Sequence, residues 1–110
     1  MSDPGGGDTI RGMTQHVTHR PRLAWDGARV VMAAIEHGDH AWLANLAGER
    51  LGPQYRRHVE DAWLRLAVEP DRAAAEAGLF RARLDDLLAR RPELQADLAF
   101  VIDEAGRRLR

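Results

Sequence analysis

The sequence predicts an all-α protein, a small bundle of four to five helices behind a flexible N-terminal tail. Alanine, glutamate, leucine and arginine supply about half of the 110 residues, which is typical of helix-rich chains. Apolar residues recur at spacings of three and four, and no stretch alternates with period two for long enough to build a sheet. Proline or glycine separates these runs, so each run is expected to be its own helix.

The tail is predicted at residues 1–22 and the helical domain at residues 23–110. The tail holds four of the ten glycines and few large apolar residues. Such a composition cannot offset the entropy lost on ordering.

The first two helices are bounded by glycines. Helix one is predicted over residues 24–37, with a stop at Gly38 in the left-handed conformation that glycine tolerates. Asp39 is the expected N-cap of helix two, because its carboxylate can accept a hydrogen bond from a free backbone N–H. Gly52 is expected to end helix two.

The last three helices are bounded by prolines. Pro53 suits the first turn of helix three, whose apolar face includes Trp63, so burial of that tryptophan is expected. Helix four is predicted over residues 71–91 with Asp71 as its N-cap. Pro92 ends helix four and opens helix five.

Composition and charge exclude several classes of function. Sixteen arginines and no lysine face 17 acidic residues, for a net charge of −1, so no positive excess favours nucleic acid or an anionic membrane. The chain has no cysteine, and neither an export signal nor a membrane-spanning run is visible. A cytoplasmic location is therefore expected.

Catalytic chemistry is also not predicted. Ser2 is the only serine, and adjacent acidic pairs such as Asp85 and Asp86 point about 100° apart on a helix, so they cannot act as a dyad. The possible metal ligands at residues 36–40 are divided by the predicted helix end at Gly38. We expect no catalytic residue, no cofactor and no metal site.

Some apolar residues are candidates for contact with a partner. Trp25 and Trp42 lie near helix starts, where partial exposure of a large aromatic ring is expected. Phe100 and Ile102 fall outside the narrow apolar stripe of helix five. Either helix five is central in the bundle, or it leaves a face free for a protein partner or for a second copy of the chain.

Residues 43–59 resemble a helix-turn-helix segment, with a helix, a short turn and a basic helix. In such units the early residues of the second helix meet base edges, which here implicates Gln54, Arg56, Arg57 and His58. The turn is shorter than the usual three or four residues, and acidic residues follow the basic cluster.

Residues 83–94, Arg-Leu-Asp-Asp-Leu-Leu-Ala-Arg-Arg-Pro-Glu-Leu, follow an Ala-rich helix and two Trp-containing segments. In this order of features the chain resembles a group of small all-helical proteins of high-GC actinobacteria that have no assigned activity. The resemblance implies an adaptor-like or regulatory module without enzymatic activity.

The leading functional hypothesis is a non-enzymatic, cytoplasmic module for protein–protein interaction. The alternative is a DNA-binding regulator or antitoxin that uses residues 53–59.

Overall fold

The computed structural model describes residues 20–109, which form five α-helices and contain no strand. The helices are α1 (Arg20–Glu36), α2 (His40–Leu51), α3 (Pro53–Val68), α4 (Ala73–Arg90) and α5 (Gln95–Arg108). One turn of 3-10 helix precedes α4 (Pro70–Arg72) and another precedes α5 (Pro92–Leu94). The all-α prediction is confirmed. Within the described residues, no helix has both the length and the apolar character needed to cross a bilayer.

The first helix begins earlier than predicted. Residues 1–19 of the predicted tail lie outside the described part of the chain, and α1 starts at Arg20. Proline is accepted in the first turn of a helix, where its missing N–H would have no partner, so Pro21 does not delay the start. The Arg20 side chain also donates to Asp85 of α4 at 3.0 Å, which holds this first turn against the bundle.

Asp39 is the N-cap residue of α2 as predicted, but without the expected hydrogen bond, and the prediction of Asp71 as the N-cap of α4 is wrong. Asp39 makes no capping hydrogen bond at the start of α2, and its carboxylate instead lies 3.3 Å from Nε of Arg108. Asp71 lies inside the 3-10 turn that Pro70 opens, and α4 begins only at Ala73, again without a side-chain cap. In each case another partner or a tighter turn takes the place of the cap.

Two glycines with positive φ connect the first three helices, as the sequence predicts. At Gly38 (φ 78°), the N–H donates to the Ile35 carbonyl at 3.2 Å and the next N–H donates to the Ala34 carbonyl at 2.7 Å. This pair of bonds is a Schellman motif. Gly52 (φ 116°) is the single residue between α2 and α3.

Helices α2 and α3 form an antiparallel hairpin of unequal arms. Near the turn, a Cβ on Gly48 would lie 3.1 Å from the Cβ of Arg56. At the far end, the rings of His40 and Trp63 stack with centroids 4.1 Å apart. Because α2 has 12 residues and α3 has 16, the last turn of α3 extends beyond the start of α2.

Helices α1 and α4 form a second antiparallel pair, and α5 packs against α1 and α2. The start of α1 meets the later part of α4 through the Arg20–Asp85 ion pair. Arg50 of α2 lies 3.4 Å from Asp97 at the start of α5. Four of the large apolar side chains that are fully buried come from α2, α4 and α5: Leu43, Leu84, Leu88 and Leu98.

Gly27 sets the distance between α1 and its neighbours. It is buried in the middle of α1, and a Cβ at this position would lie 2.6 Å from Cδ1 of Leu84 and 3.2 Å from Cδ1 of Leu98. A glycine inside a helix is unfavourable in isolation. Here it allows α1 to approach α4 and α5 closely.

One carboxylate is buried at the contact between α3 and α4. Glu76 is 1% exposed, and Arg65 donates to both of its oxygens, from Nε at 2.7 Å and from Nη2 at 2.9 Å. These hydrogen bonds hold the pKa of Glu76 below its usual value, although burial acts in the opposite direction. The two-pronged geometry is the strongest form of arginine–carboxylate contact.

Candidate partner-binding surface

The two tryptophans predicted to contact a partner lie on different helix pairs. Trp25 is 43% exposed, and the guanidinium of Arg81 lies 5.4 Å from its ring centroid. Trp42 is half-buried and packs against the core, with the guanidinium of Arg108 4.6 Å from its ring centroid. Each ring therefore already has a cation from a neighbouring helix over its face.

Helix α5 is central rather than free. Its residues Leu98 and Val101 are buried, and Ile102 is half-buried against the core. Phe100 is half-buried under the guanidinium of Arg50, 3.8 Å from the ring centroid. Of the two alternatives left open by the sequence, the structure supports a central α5, so the apolar residues of this helix supply no broad free face.

Among the described residues, three of the five exposed large apolar side chains lie on the last two turns of α3, and the other two are Trp25 and Leu79. Trp63 is 36% exposed, Leu64 54% and Val68 81%, so the expected burial of Trp63 is wrong. The unequal hairpin explains this exposure. His40, the first residue of α2, stacks on Trp63, and α3 continues for five residues beyond that tryptophan. We call residues 64–68 the α3 overhang.

A groove opens between the C-terminal half of α1 and the α3 overhang. Its volume is about 350 Å³, and the residues that line it are mostly apolar: Met32, Ile35, Glu36, Leu66, Pro70 and Ala73. Helices α1 and α3 make little direct contact with each other, so their facing sides form the walls. The 3-10 turn and the start of α4 close one end. We call this space the α1–α3 groove.

The unpaired charges beside the groove are negative. Glu36 on the α1 wall is exposed, as is Asp71, which lies between the lining residues Pro70 and Ala73. Neither carboxylate forms an ion pair within residues 20–109. Glu69, the residue before the 3-10 turn, lies 3.6 Å from Nε of Arg72, which partly balances its charge.

The possible metal ligands at residues 36–40 point to different partners. The ring Nδ1 of His37 donates to the Ala33 carbonyl at 2.8 Å. Asp39 is ion-paired with α5, and His40 stacks on the α3 tryptophan with its Nδ1 buried and without a hydrogen-bond partner. Within residues 20–109, no three His, Asp or Glu side chains are placed to hold one metal ion.

The four candidate DNA contacts lie on the first two turns of α3. Gln54, Arg56 and Arg57 are exposed, and neither arginine forms an ion pair within the described residues. The helices around them are not arranged as in a helix-turn-helix unit, where they meet at about 90–120°. At a right angle, the helix axes at His40 and Trp63 would be about 24 Å apart, whereas the rings of these two residues stack with centroids 4.1 Å apart.

The fourth candidate, His58, faces inward. Its ring meets Tyr55 and Phe80 edge-on, with centroids 5.1 Å and 6.4 Å away. Burial and the nearby charge of Arg83 lower the pKa of His58, which favours a neutral ring near pH 7. The Tyr55 hydroxyl donates to the Arg83 carbonyl at 3.1 Å, and burial raises the pKa of Tyr55. These rings join α3 to α4.

The groove residues were not predicted from the sequence. One signal was present, since five of the six residues from Trp63 to Val68 are apolar. A helical segment that is apolar all round needs cover on every side. Because the arms of the hairpin differ in length, part of this segment extends beyond α2 and is not covered by it.

Comparison of the chain with protein-family models found no match, and comparisons with curated proteins and with solved structures found none either.

Proposed function

We propose that this chain is a non-enzymatic helical module that binds a protein partner through the α1–α3 groove. The supporting observation is the apolar lining of this groove, to which Met32, Ile35 and Leu66 contribute. Large apolar side chains grouped on one surface are a mark of interaction sites. The proposal places the module in the cytoplasm, in keeping with a chain that has no cysteine.

The dimensions of the groove suit this role. Its volume of about 350 Å³ is enough to receive side chains from a partner. Two helices form its walls, and a cleft of this kind accepts the apolar face of a third helix. Trp25, Trp42, Phe100 and Ile102 are not part of the proposed contact, because none of them lines the groove. The first three each have an arginine over the ring, and Ile102 packs against the core.

A pair of matched variants tests the proposal. Ala73 and Ala74 are exposed neighbours in the first turn of α4, but only Ala73 lines the groove. Ala73→Gln adds a longer side chain over the groove, and Ala74→Gln makes the same change beside it. Each variant and the unchanged chain are used, with a tag, to capture proteins from nuclease-treated lysate of the native host.

The proposal expects a protein that the unchanged chain and Ala74→Gln both capture and that Ala73→Gln captures several-fold less. Equal capture by both variants would place the contact elsewhere on the molecule. Thermal unfolding of both variants controls for folding. Identification of the captured protein by mass spectrometry then names the partner.

DNA binding through residues 53–59 is the competing proposal. The observation in its favour is the exposure of Arg56 and Arg57 without ion pairs in the described part of the chain. In this case capture depends on nucleic acid and disappears after nuclease treatment. Arg57→Ala would then weaken binding to duplex DNA and reduce the dependence of binding on salt concentration.

A further inference from the structure

We propose that the α1–α3 groove binds an amphipathic helix whose apolar stripe is flanked by arginine or lysine. This inference rests on the proposed function, because it concerns the same surface, and it adds the chemistry of the partner.

The shape of the groove suits a helix. Helices α1 and α3 make little contact with each other, although each packs well against other helices. The space between them, about 350 Å³, can therefore receive side chains from one face of a further helix that lies along it. Met32 and Ile35 on one wall and Leu66 on the other supply the apolar contacts that the stripe of such a helix would cover.

The charge around the groove suits a cationic partner. Glu36 is exposed on one wall, and Asp71 is exposed in the turn that closes the groove. Nearby arginines are already engaged: Arg72 with Glu69 and Arg65 with Glu76. The free charge around the apolar lining is therefore negative, and a cationic flank on the partner would complement it.

The same charges argue against a second copy of the chain in this groove. In a two-fold dimer the same surface meets itself. Glu36 and Asp71 of one copy would then face the carboxylates of the other, and like charges in an interface are unfavourable.

The test uses two synthetic helical peptides of about 18 residues, long enough to form helix in water. Both carry the same leucine stripe, flanked in one peptide by arginines and in the other by glutamates. The full chain is labelled at its Met and Ile methyl groups and observed by NMR. Met32 and Ile35 report on the groove, whereas Ile102 on α5 is an internal control.

We expect the arginine peptide to shift the signals of Met32 and Ile35 but not that of Ile102. It should bind about fivefold or more tightly than the glutamate peptide, the effect of two partly exposed ion pairs. This preference should fall as salt is added. The double variant Glu36→Gln/Asp71→Asn should lose the preference, whereas Glu49→Gln/Asp103→Asn, which removes the same charge elsewhere, should keep it.

Three results would overturn the inference. Equal binding of the two peptides would remove the role of charge while leaving the proposed function intact. No shift of Met32 and Ile35 with either peptide would exclude a helix as the occupant, and the capture experiment would then decide separately whether the groove binds a protein. Shifts of the same methyl groups with rising concentration of the chain alone would identify a second copy as the occupant.

Discussion

At the residue scale, Gly27 lies where α1 approaches α4 and α5, and an added Cβ would meet Leu84 at 2.6 Å. Gly78 is also a glycine inside a helix, but nothing lies within 4 Å of the position of its Cβ. A glycine-to-alanine substitution can therefore be compared at a site where the added methyl group has no room and at a site where it has room.

We predict opposite effects on stability for these two sites. Gly27→Ala should lower the free energy of unfolding by about 1–3 kcal/mol, because the buried Leu84 and Leu98 must move. Gly78→Ala should raise it by up to about 1 kcal/mol, because alanine favours helix. Urea denaturation measures both. A stabilised Gly27→Ala would show that the core accommodates the methyl group without cost.

Single residues were predictable from the sequence where the local backbone decides the outcome. The stop at Gly38 and the proline in the first turn of α3 follow from backbone sterics alone. The exposure of Trp63 and the role of Gly27 depend on which helix lies opposite, and this information is not local. Local rules predict a capping hydrogen bond from the backbone to Asp39, but its carboxylate forms an ion pair with Arg108, which is distant in sequence.

At the element scale, the α2–α3 hairpin depends on one residue. Gly52 has φ 116° and ψ 153°, a region that is essentially restricted to glycine. A Cβ there would also lie 2.8 Å from Oε1 of Gln54. Gly38 has φ 78° and open space around it, so a side chain there meets only the milder cost of the left-handed conformation.

We therefore predict that Gly52→Ala destabilises the protein more than Gly38→Ala does. The expected losses are about 2–3 kcal/mol for Gly52 and about 1 kcal/mol for Gly38, measured by urea denaturation. Equal losses would mean that the hairpin can turn without the unusual backbone at Gly52.

The two halves of α3 should also differ. Val59 is 0% exposed and Val68 is 81% exposed, on the same helix. Val59→Ala should cost about 1–3 kcal/mol by loss of buried methyl groups, whereas Val68→Ala should change the free energy of unfolding by less than about 0.5 kcal/mol. A large loss at Val68 would show that the overhang is covered in the protein alone.

The number of helices and their C-terminal ends were largely predictable, because apolar periodicity and the positions of Gly and Pro indicate them. The starts of α4 and α5 were less so, since each proline opens a 3-10 turn before the α-helix begins. The groove follows from the difference in length between two paired helices. Each length is visible in the sequence, but their pairing is not.

At the scale of the whole molecule, the Arg65–Glu76 pair makes stability depend on pH. The pKa of Glu76 is lowered in the folded protein, so the folded state favours the ionised form. The resulting stabilisation is present above the pKa of glutamate in the unfolded chain, about 4.3. It is lost as the pH falls through the lower pKa of the folded state.

We predict that Glu76→Gln lowers the free energy of unfolding near pH 7 by about 1.5 kcal/mol, at the lower end for charged hydrogen bonds because Arg65 is 39% exposed. Glu69→Gln, which removes an exposed carboxylate, should change it by less than about 0.5 kcal/mol. The difference in the free energy of unfolding between Glu76→Gln and the unchanged chain should become smaller below about pH 4. Denaturation curves at several pH values measure this difference. A difference that stays constant with pH would contradict the role of the Arg65–Glu76 pair in the pH dependence of stability.

The groove exists because α3 is one turn longer than the helix beside it. A deletion or insertion of a single helical turn would therefore close or deepen it, whatever side chains lined it. Among descendants of this chain that keep the groove, we therefore expect the number of residues between Gly52 and Pro70 to be retained. Substitutions at individual groove positions could accumulate without removing the cleft.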